Sequence, residues 1–326
     1  MSFFQLLKNQ WTPLPYPEAS FDGKTIIVTG ANIGLGLEAA RHFTRLGAAK
    51  VILACRSIAK GEAAVHSIEE STGRKGVCEV WQVDLGNYDS VKEFCSRAAG
   101  LQRLDVVCEN AGVASGTYSQ SEGTENTIAV NVIGTFLMAL NLLPVLRRSG
   151  KKFGVLPRLA ITSSEVHQWA KFVERHEESI FEALKKNDPE RMKDRYQVSK
   201  LLEVFFVRSL AAKMQEGTHS NEPVVLNCFT PGLCHSALGR SVTGIAGLIF
   251  YFMKLLLAKS TEMGSRTIVK AAEMGEESHG KYMNLCAIGE PSEFVRSEEG
   301  KKTQERVWDE LIEILEKIQP GISKNI

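Results

Sequence analysis

The chain has 326 residues, 44% of them hydrophobic and 24% charged, with 27 glycines and 10 prolines. Those proportions exclude collagen-like, disordered and disulfide-framework proteins. Its 39 basic and 38 acidic side chains leave a net charge of +1, so no global excess exists to attract nucleic acid or an acidic membrane.

Residues 1–20 read as an N-terminal extension. The start, Met-Ser-Phe-Phe-Gln-Leu-Leu-Lys, lacks the basic end, long apolar run and cleavage site of a signal peptide, so a cytoplasmic protein is expected. Next, Lys24–Thr29, Lys50–Cys55, Val77–Val83, Leu104–Cys108, Arg158–Thr162 and Val224–Phe229 read as strands. They are apolar almost throughout, as parallel strands covered on both faces are. Between the first two, Leu35, Ala39, Phe43 and Leu46 share one helical face, and Gly47 stands beyond it as a stop signal. This alternation predicts an α/β fold: one doubly wound parallel sheet of about seven strands, flanked by helices and joined by right-handed crossovers.

Two regions stand apart. Residues 170–195 are dense in charge, yet Val173, Ile180 and Leu184 keep helical spacing and Asp188-Pro189 closes the segment. This predicts a helical insertion. Residues 237–260 hold what reads as the longest uncharged apolar stretch, Val242–Met253, which is shorter than the roughly twenty residues a bilayer crossing needs. No transmembrane span is therefore expected, although peripheral membrane contact is open to such a segment. Helices around Ser260–Gly275 and Thr303–Ile318 follow, with no sign of a separate core, so residues 21–326 read as one domain. The seven cysteines (Cys55, Cys78, Cys95, Cys108, Cys228, Cys234 and Cys286) sit mostly in apolar runs, as buried free thiols in a reducing compartment do. Cys228, Cys234 and His235 lack zinc-ligand spacing, so no metal site is expected.

After the first strand comes Thr29-Gly-Ala-Asn-Ile-Gly-Leu-Gly36, a glycine-rich turn opening a helix, the Rossmann-type arrangement for a dinucleotide. Gly30 permits the turn, Gly34 lets backbone approach a pyrophosphate, and Gly36 lets the helix pack closely. The helix N-terminus offers its N–H groups to the anion. At the end of the second strand, where a carboxylate would select NAD, the chain has Arg56, with Lys60 one turn on. A guanidinium there suits a 2′-phosphate, which points to NADP(H).

These residues, with others in order behind them, resemble the short-chain dehydrogenase/reductase family from Gly23 to Ser236. The cofactor turn supplies Gly30, Asn32, Ile33, Gly34, Leu35 and Gly36. Asp84-Leu85 is similar to the family's adenine-contacting pair, Asn110-Ala111-Gly112 to its Asn-Ala-Gly motif, and Asn131 to its helix asparagine. Ser163-Ser164 ends the fifth strand, Tyr196-Gln-Val-Ser-Lys200 is the Tyr-x-x-x-Lys signature, and Pro231-Gly232-Leu233 with Ser236 resembles the nicotinamide-side loop. Cys55-Arg-Ser-Ile-Ala-Lys-Gly61, Ser163-Ser-Glu-Val-His167 and Gly280-Lys-Tyr-Met283 look most like the retinol dehydrogenase-like branch and its fungal relatives.

The resemblance implies an oxidoreductase interconverting a carbonyl and an alcohol, and assemblies of two or four chains through long helices that include Tyr196. Tyr196 and Lys200, four apart, share a helix face. The ammonium would lower the phenol toward the operating range, and Lys200 would reach the nicotinamide ribose. Ser164 would hold the substrate oxygen, with Ser163 its rival for that role, and Asn131 would position a water that returns protons. His167 reads as a pocket or structural residue rather than a base. Glu109 departs from the family, where a second Asn or a small residue is common.

The spacing from Ser164 to Tyr196 is longer than is usual in the family, and the surplus is the charged insertion. It is expected to form a helix walling a pocket, with the 242–257 segment facing it. Trp169, Phe172, Ile249, Phe250, Tyr251 and Phe252 would then line a site for a bulky apolar molecule, or else bury a contact between copies. A role in secondary-metabolite biosynthesis follows from the fungal flavour alone. Two other readings stay open: an NADP(H)-binding scaffold or sensor without turnover, and a non-redox cyclisation or dehydration in the same pocket.

Overall fold

The structure is a computed structural model, which describes residues 10–235, 238, 255 and 257–326. Six of its strands fall on the expected segments: β1 (Thr25–Thr29), β2 (Lys50–Cys55), β3 (Cys78–Gln82), β4 (Val106–Glu109), β5 (Arg158–Thr162) and β6 (Val225–Thr230). Two short strands, β7 (Tyr282–Asn284) and β8 (Ala287–Gly289), extend the edge, one more than expected. The order is 3-2-1-4-5-6-7-8, with every neighbour parallel except β8, which turns back against β7. The direction of winding reverses between β1 and β4, so ligands belong at the carboxyl ends of those strands.

Successive side chains of a strand point to opposite faces, and the core divides accordingly. Ile26 and Val28 face a layer built from α1 (Gly34–Arg45), α2 (Ile58–Thr72) and α6 (Thr261–Glu273). Ile27 and Val107 face α3 (Tyr88–Ala99), α4 (Thr135–Phe153), α5 (Arg195–Glu216) and α7 (Glu298–Ile318). Side chains cap several helices: Ser57 accepts from the Lys60 N–H, Ser260 from Met263 and Ser297 from Gly300.

Two expectations change. The apolar run entering α4, uncharged from Asn126 to Leu146, is longer than Val242–Met253. The helix Asn126–Phe153 is long and apolar enough to cross a bilayer, but 89% of its apolar window is buried within the protein, which makes it a core helix. The insertion is not one helix. Phe172 adopts a left-handed backbone (φ 45°), and short turns follow at Val173–His176, Ile180–Leu184 and Pro189–Met192. Asp188 does not close a helix; its carboxylate caps the last of these turns. Ile180, Phe181 and Leu184 enter the core, and Glu310 of α7 accepts from the N–H groups of Ile180 and Phe181 at 2.9 Å each. The insertion is thus held by α7 and by the buried Arg195–Glu174 pair (3.0 Å).

Residues 10–20, part of the N-terminal extension, are stitched to the main body. Leu14 is buried, and Arg45 donates to the Pro17 carbonyl at 2.7 Å. Helix α5 packs against α7, where Phe206 stacks on Trp308 with centroids 4.7 Å apart. Six of the seven cysteines are buried, and none of the seven is in a disulfide. Among the described residues no His, Cys, Asp or Glu group has a metal-binding arrangement.

Candidate active site

The glycine turn has the form a pyrophosphate requires. Gly34 has φ +65°, and a Cβ built on it would meet no atom within 4 Å, so its backbone faces open space. At Gly36 a Cβ would stand 2.6 Å from the Gly30 carbonyl oxygen and 2.7 Å from Asn110 Nδ2. The close approach is therefore to the turn itself and to the β4 end. Helix α1 begins after Ile33 with no side-chain cap and no acidic residue in its first turn. Its leading N–H groups are not taken by a side chain, and Asn32 and Leu35 beside them are only partly buried. These features fit a dinucleotide phosphate.

Asn110 and Ala111 fasten the switch point. Their N–H groups both donate to Thr29 Oγ1 at 2.9 Å, and Asn110 Nδ2 donates to the Thr29 carbonyl at 3.0 Å. Register places Ala54 opposite Thr29, so Arg56 follows directly beside the turn. Arg56 and Lys60 are exposed, and neither side chain has an ion-pair partner among the described residues. Asp84 is partly buried and accepts from the Gly86 N–H at 3.0 Å, while Leu85 is buried.

The residues expected to handle the proton lie at the carboxyl end of β5. Ser164 is partly exposed, and its hydroxyl lies near enough to the Tyr196 phenol to favour the ionised form. Ser163 is buried and donates to the Lys200 carbonyl at 3.0 Å. Lys200 Nζ lies 5.8 Å from the centre of the Tyr196 ring. A Cβ on Gly112 would be 3.7 Å from that same Nζ, so the motif after β4 reaches the Tyr-Lys face.

Asn131 sits in a π-helical turn, Ala129–Gly134, of the kind often found at functional sites. Its side chain accepts from the Val113 N–H (2.8 Å) and donates to the Val113 carbonyl (2.9 Å) and to Ser199 (3.0 Å). The amide is fully used in holding the loop after Gly112. A water held by Asn131 would therefore have to use its backbone.

The electrostatics differ from expectation. Lys200 does pull the Tyr196 phenol down, but burial and the nearby Glu203 outweigh it, and the phenol lies above its usual value. Lys200 is itself paired with Glu203 at 2.7 Å, and this partner holds its ammonium charged despite burial. Glu109 is buried with both carboxylate oxygens lacking partners, and burial raises it well above the carboxylate range.

His167 is structural, one of the two roles expected of it. Its Nε2 accepts from the Ser292 N–H at 3.0 Å, so its Nδ1 carries the proton and donates to the Ser164 carbonyl at 2.7 Å. Burial lowers its pKa to about 4, so it is a neutral strut under Ser164. Phe172 is fully buried in the core, while Trp169 is 55% exposed. Ser236, Ile249, Phe250, Tyr251 and Phe252 lie outside the described residues.

Gln10 was not predicted. It donates to the carbonyls of Leu233 and Leu257 at 2.9 Å each and accepts from the Leu233 N–H at 3.1 Å. It thereby ties both ends of the 234–257 segment, next to Pro231 and Gly232. Because it reads backbone only, no partner residue marks it in the sequence. Glu203 carried a visible sign, its position one turn beyond Lys200.

Comparison with known proteins agrees with this geometry. Residues 24–156 match the family model described as short chain dehydrogenase. The chain is 46% identical to the short chain dehydrogenase/reductase dmxR8 of Cryptosporiopsis sp. (strain 8999), over 99% of this chain and 98% of the relative. It is 42% identical to the short-chain dehydrogenase anuD of Penicillium roqueforti (strain FM164), covering 99% and 85%. Among solved structures, a protein from Mycobacterium Paratuberculosis aligns with TM-score 0.66 at 24% identity, covering 94% and 98%. A short chain dehydrogenase from Shigella flexneri 2a str. 301, complexed with NADP, aligns with TM-score 0.57 at 23% identity, covering 82% and 99%. The chain is an oxidoreductase of the short-chain dehydrogenase/reductase family, which binds a nicotinamide cofactor.

Proposed function

We propose that the protein is a cytoplasmic, NADP(H)-dependent enzyme that interconverts a carbonyl and an alcohol on a bulky apolar small molecule, in secondary-metabolite biosynthesis. The observation that carries this reading is the convergence of Ser164, Tyr196 and Lys200 beside Gly112, one strand away from the glycine turn. A cofactor-binding scaffold has no need of that convergence.

Gly30, Asn32, Ile33, Gly34, Leu35 and Gly36 would hold the pyrophosphate, and Arg56 with Lys60 the 2′-phosphate. Asp84, Leu85 and Asn110–Gly112 would line the adenosine side, and Pro231–Leu233 with Ser236 the nicotinamide side. The bound cofactor supplies the hydride that reduces the carbonyl carbon. Tyr196 gives its phenolic proton to the carbonyl oxygen, and Ser164 donates a hydrogen bond to that oxygen as its negative charge grows. Lys200 keeps a positive charge beside the phenolate left behind. Trp169, exposed on the turn that Ser164 caps, supplies apolar surface where the substrate would enter.

Incubation with NADPH and a panel of aromatic ketones tests the reading. Loss of nicotinamide absorbance is expected in the parent and not in Tyr196→Phe. Product formed without cofactor consumption would instead indicate the non-redox chemistry, and equal rates in parent and variant would refute the role of Tyr196.

A further inference from the structure

A buried polar cluster lies under Tyr196. Lys200 donates to Glu203 Oε1 at 2.7 Å and to the Thr162 carbonyl at 2.8 Å, and both charged residues are at most 4% exposed. The second Glu203 oxygen has no hydrogen-bond partner, and neither oxygen of Glu109 has one. The titratable and charged groups facing the ion pair are Tyr196 on α5 itself, Glu109 from β4 and Cys228 from β6, with Arg208 of α5 acting on Cys228. From β5, the Ser163 hydroxyl closes the cluster by donating to the Lys200 carbonyl. Two carboxyls and one ammonium shut away from water cannot all ionise without leaving a net negative charge, so one carboxyl keeps its proton. Glu109, which has no partner, is that one; burial pushes Glu203 up to about 7 as well, but the Lys200 ammonium at 2.7 Å opposes the rise and makes Glu203 its counter-charge.

We propose that Glu203 is a positioning residue that neutralises Lys200 from behind, so that Tyr196 keeps its proton and the site is set for carbonyl reduction rather than alcohol oxidation. An ammonium with a carboxylate 2.7 Å away presents a dipole to the phenol rather than a full positive charge. A protonated phenol is the form that donates to a carbonyl oxygen; a phenolate is the form that takes a proton from an alcohol. The direction rests on the carbonyl–alcohol reading above, but the charge arrangement can be measured without turnover.

The test is an NMR titration of the whole protein labelled at the tyrosine ring carbon that bears oxygen, with the Tyr196 signal assigned by its loss in Tyr196→Phe. The parent is expected to titrate above the ordinary tyrosine value of about 10. Glu203→Gln is expected to lower the midpoint by about one pH unit, about tenfold in ionisation constant, and Glu203→Asp to return it toward the parent. A parent midpoint below about 10, an unmoved Gln variant, or Gln and Asp variants that behave alike would overturn the proposal. Should Glu203→Gln not fold, the parent midpoint decides alone. Failure to reduce any carbonyl would count against the reaction, while the titration would still decide the role of Glu203.

Discussion

Replacing Gly36 and Gly34 separately by alanine distinguishes a packing glycine from a ligand-facing one. At Gly36 the new methyl carbon would lie 2.6 Å from the Gly30 carbonyl oxygen and 2.7 Å from Asn110 Nδ2. Neither neighbour can retreat easily: the oxygen belongs to the turn, and the amide is held on the Thr29 carbonyl at 3.0 Å. Overpacking costs about 1–3 kcal/mol, and these fixed neighbours place Gly36→Ala toward the upper end. With about 2 °C per kcal/mol in a chain of this size, Tm should fall by about 4–6 °C. At Gly34 the methyl meets nothing within 4 Å, so only the left-handed backbone (φ +65°) resists it, at about 1–2 kcal/mol. Its Tm should fall by about 2–4 °C. The methyl would, however, fill the space the pyrophosphate needs, so NADPH binding should weaken more than tenfold. Thermal denaturation of both variants, with a fluorescence titration of NADPH, reads both effects. An unchanged Tm in Gly36→Ala, or parental NADPH affinity in Gly34→Ala, would refute this account of the turn.

Removing the Arg56 guanidinium as Arg56→Ala should weaken NADPH binding by about 1.5–3 kcal/mol, the worth of a hydrogen bond to a charged group, while NADH binding stays within twofold; equal losses for both cofactors would show that Arg56 does not read the phosphate. The His167 pKa is lowered to about 4 in the folded protein from about 6.5 when unfolded, so its neutral state supports the fold. That contribution is complete above pH 6.5 or so and drains away toward pH 4, to a total of about 3 kcal/mol. His167→Gln should flatten the acid decline of Tm over that interval, and an identical decline would contradict the assignment. Gln10→Ala leaves the half-buried Leu233 N–H and Leu257 carbonyl without the Gln10 side chain, while the Leu233 carbonyl keeps the Lys259 N–H. It should cost about 1–2 kcal/mol and raise the KM for NADPH more than it lowers kcat; a purely thermal effect would separate Gln10 from the cofactor loop.

The strands and the nucleotide turn could be read from the sequence because they are local. Continuous apolar runs such as Val51–Ala54 admit only a strand covered on both faces, and Gly30, Gly34 and Gly36 follow β1 at fixed spacing. Tyr196 and Lys200 were equally visible, since four residues along a helix fix a shared face. What eluded the sequence depends on tertiary partners. The Val173, Ile180 and Leu184 spacing mimics a helix, yet Phe172 bends the chain and Glu310 of α7 captures the N–H groups of Ile180 and Phe181. The pull of Lys200 on Tyr196 also looked simple from spacing alone. Its reversal needs the burial of Tyr196 and the position of Glu203, neither of which periodicity reports.

The central claim is that a carbonyl is reduced over the Ser164–Tyr196–Lys200 face by a hydride from NADPH. The direct measurement is mass analysis of the product made with NADPH carrying deuterium at both nicotinamide C4 positions. One deuterium per product, bound to the former carbonyl carbon, is the predicted result, with the label absent from Tyr196→Phe reactions run for the same time. Product that forms at the parental rate without the label would contradict it.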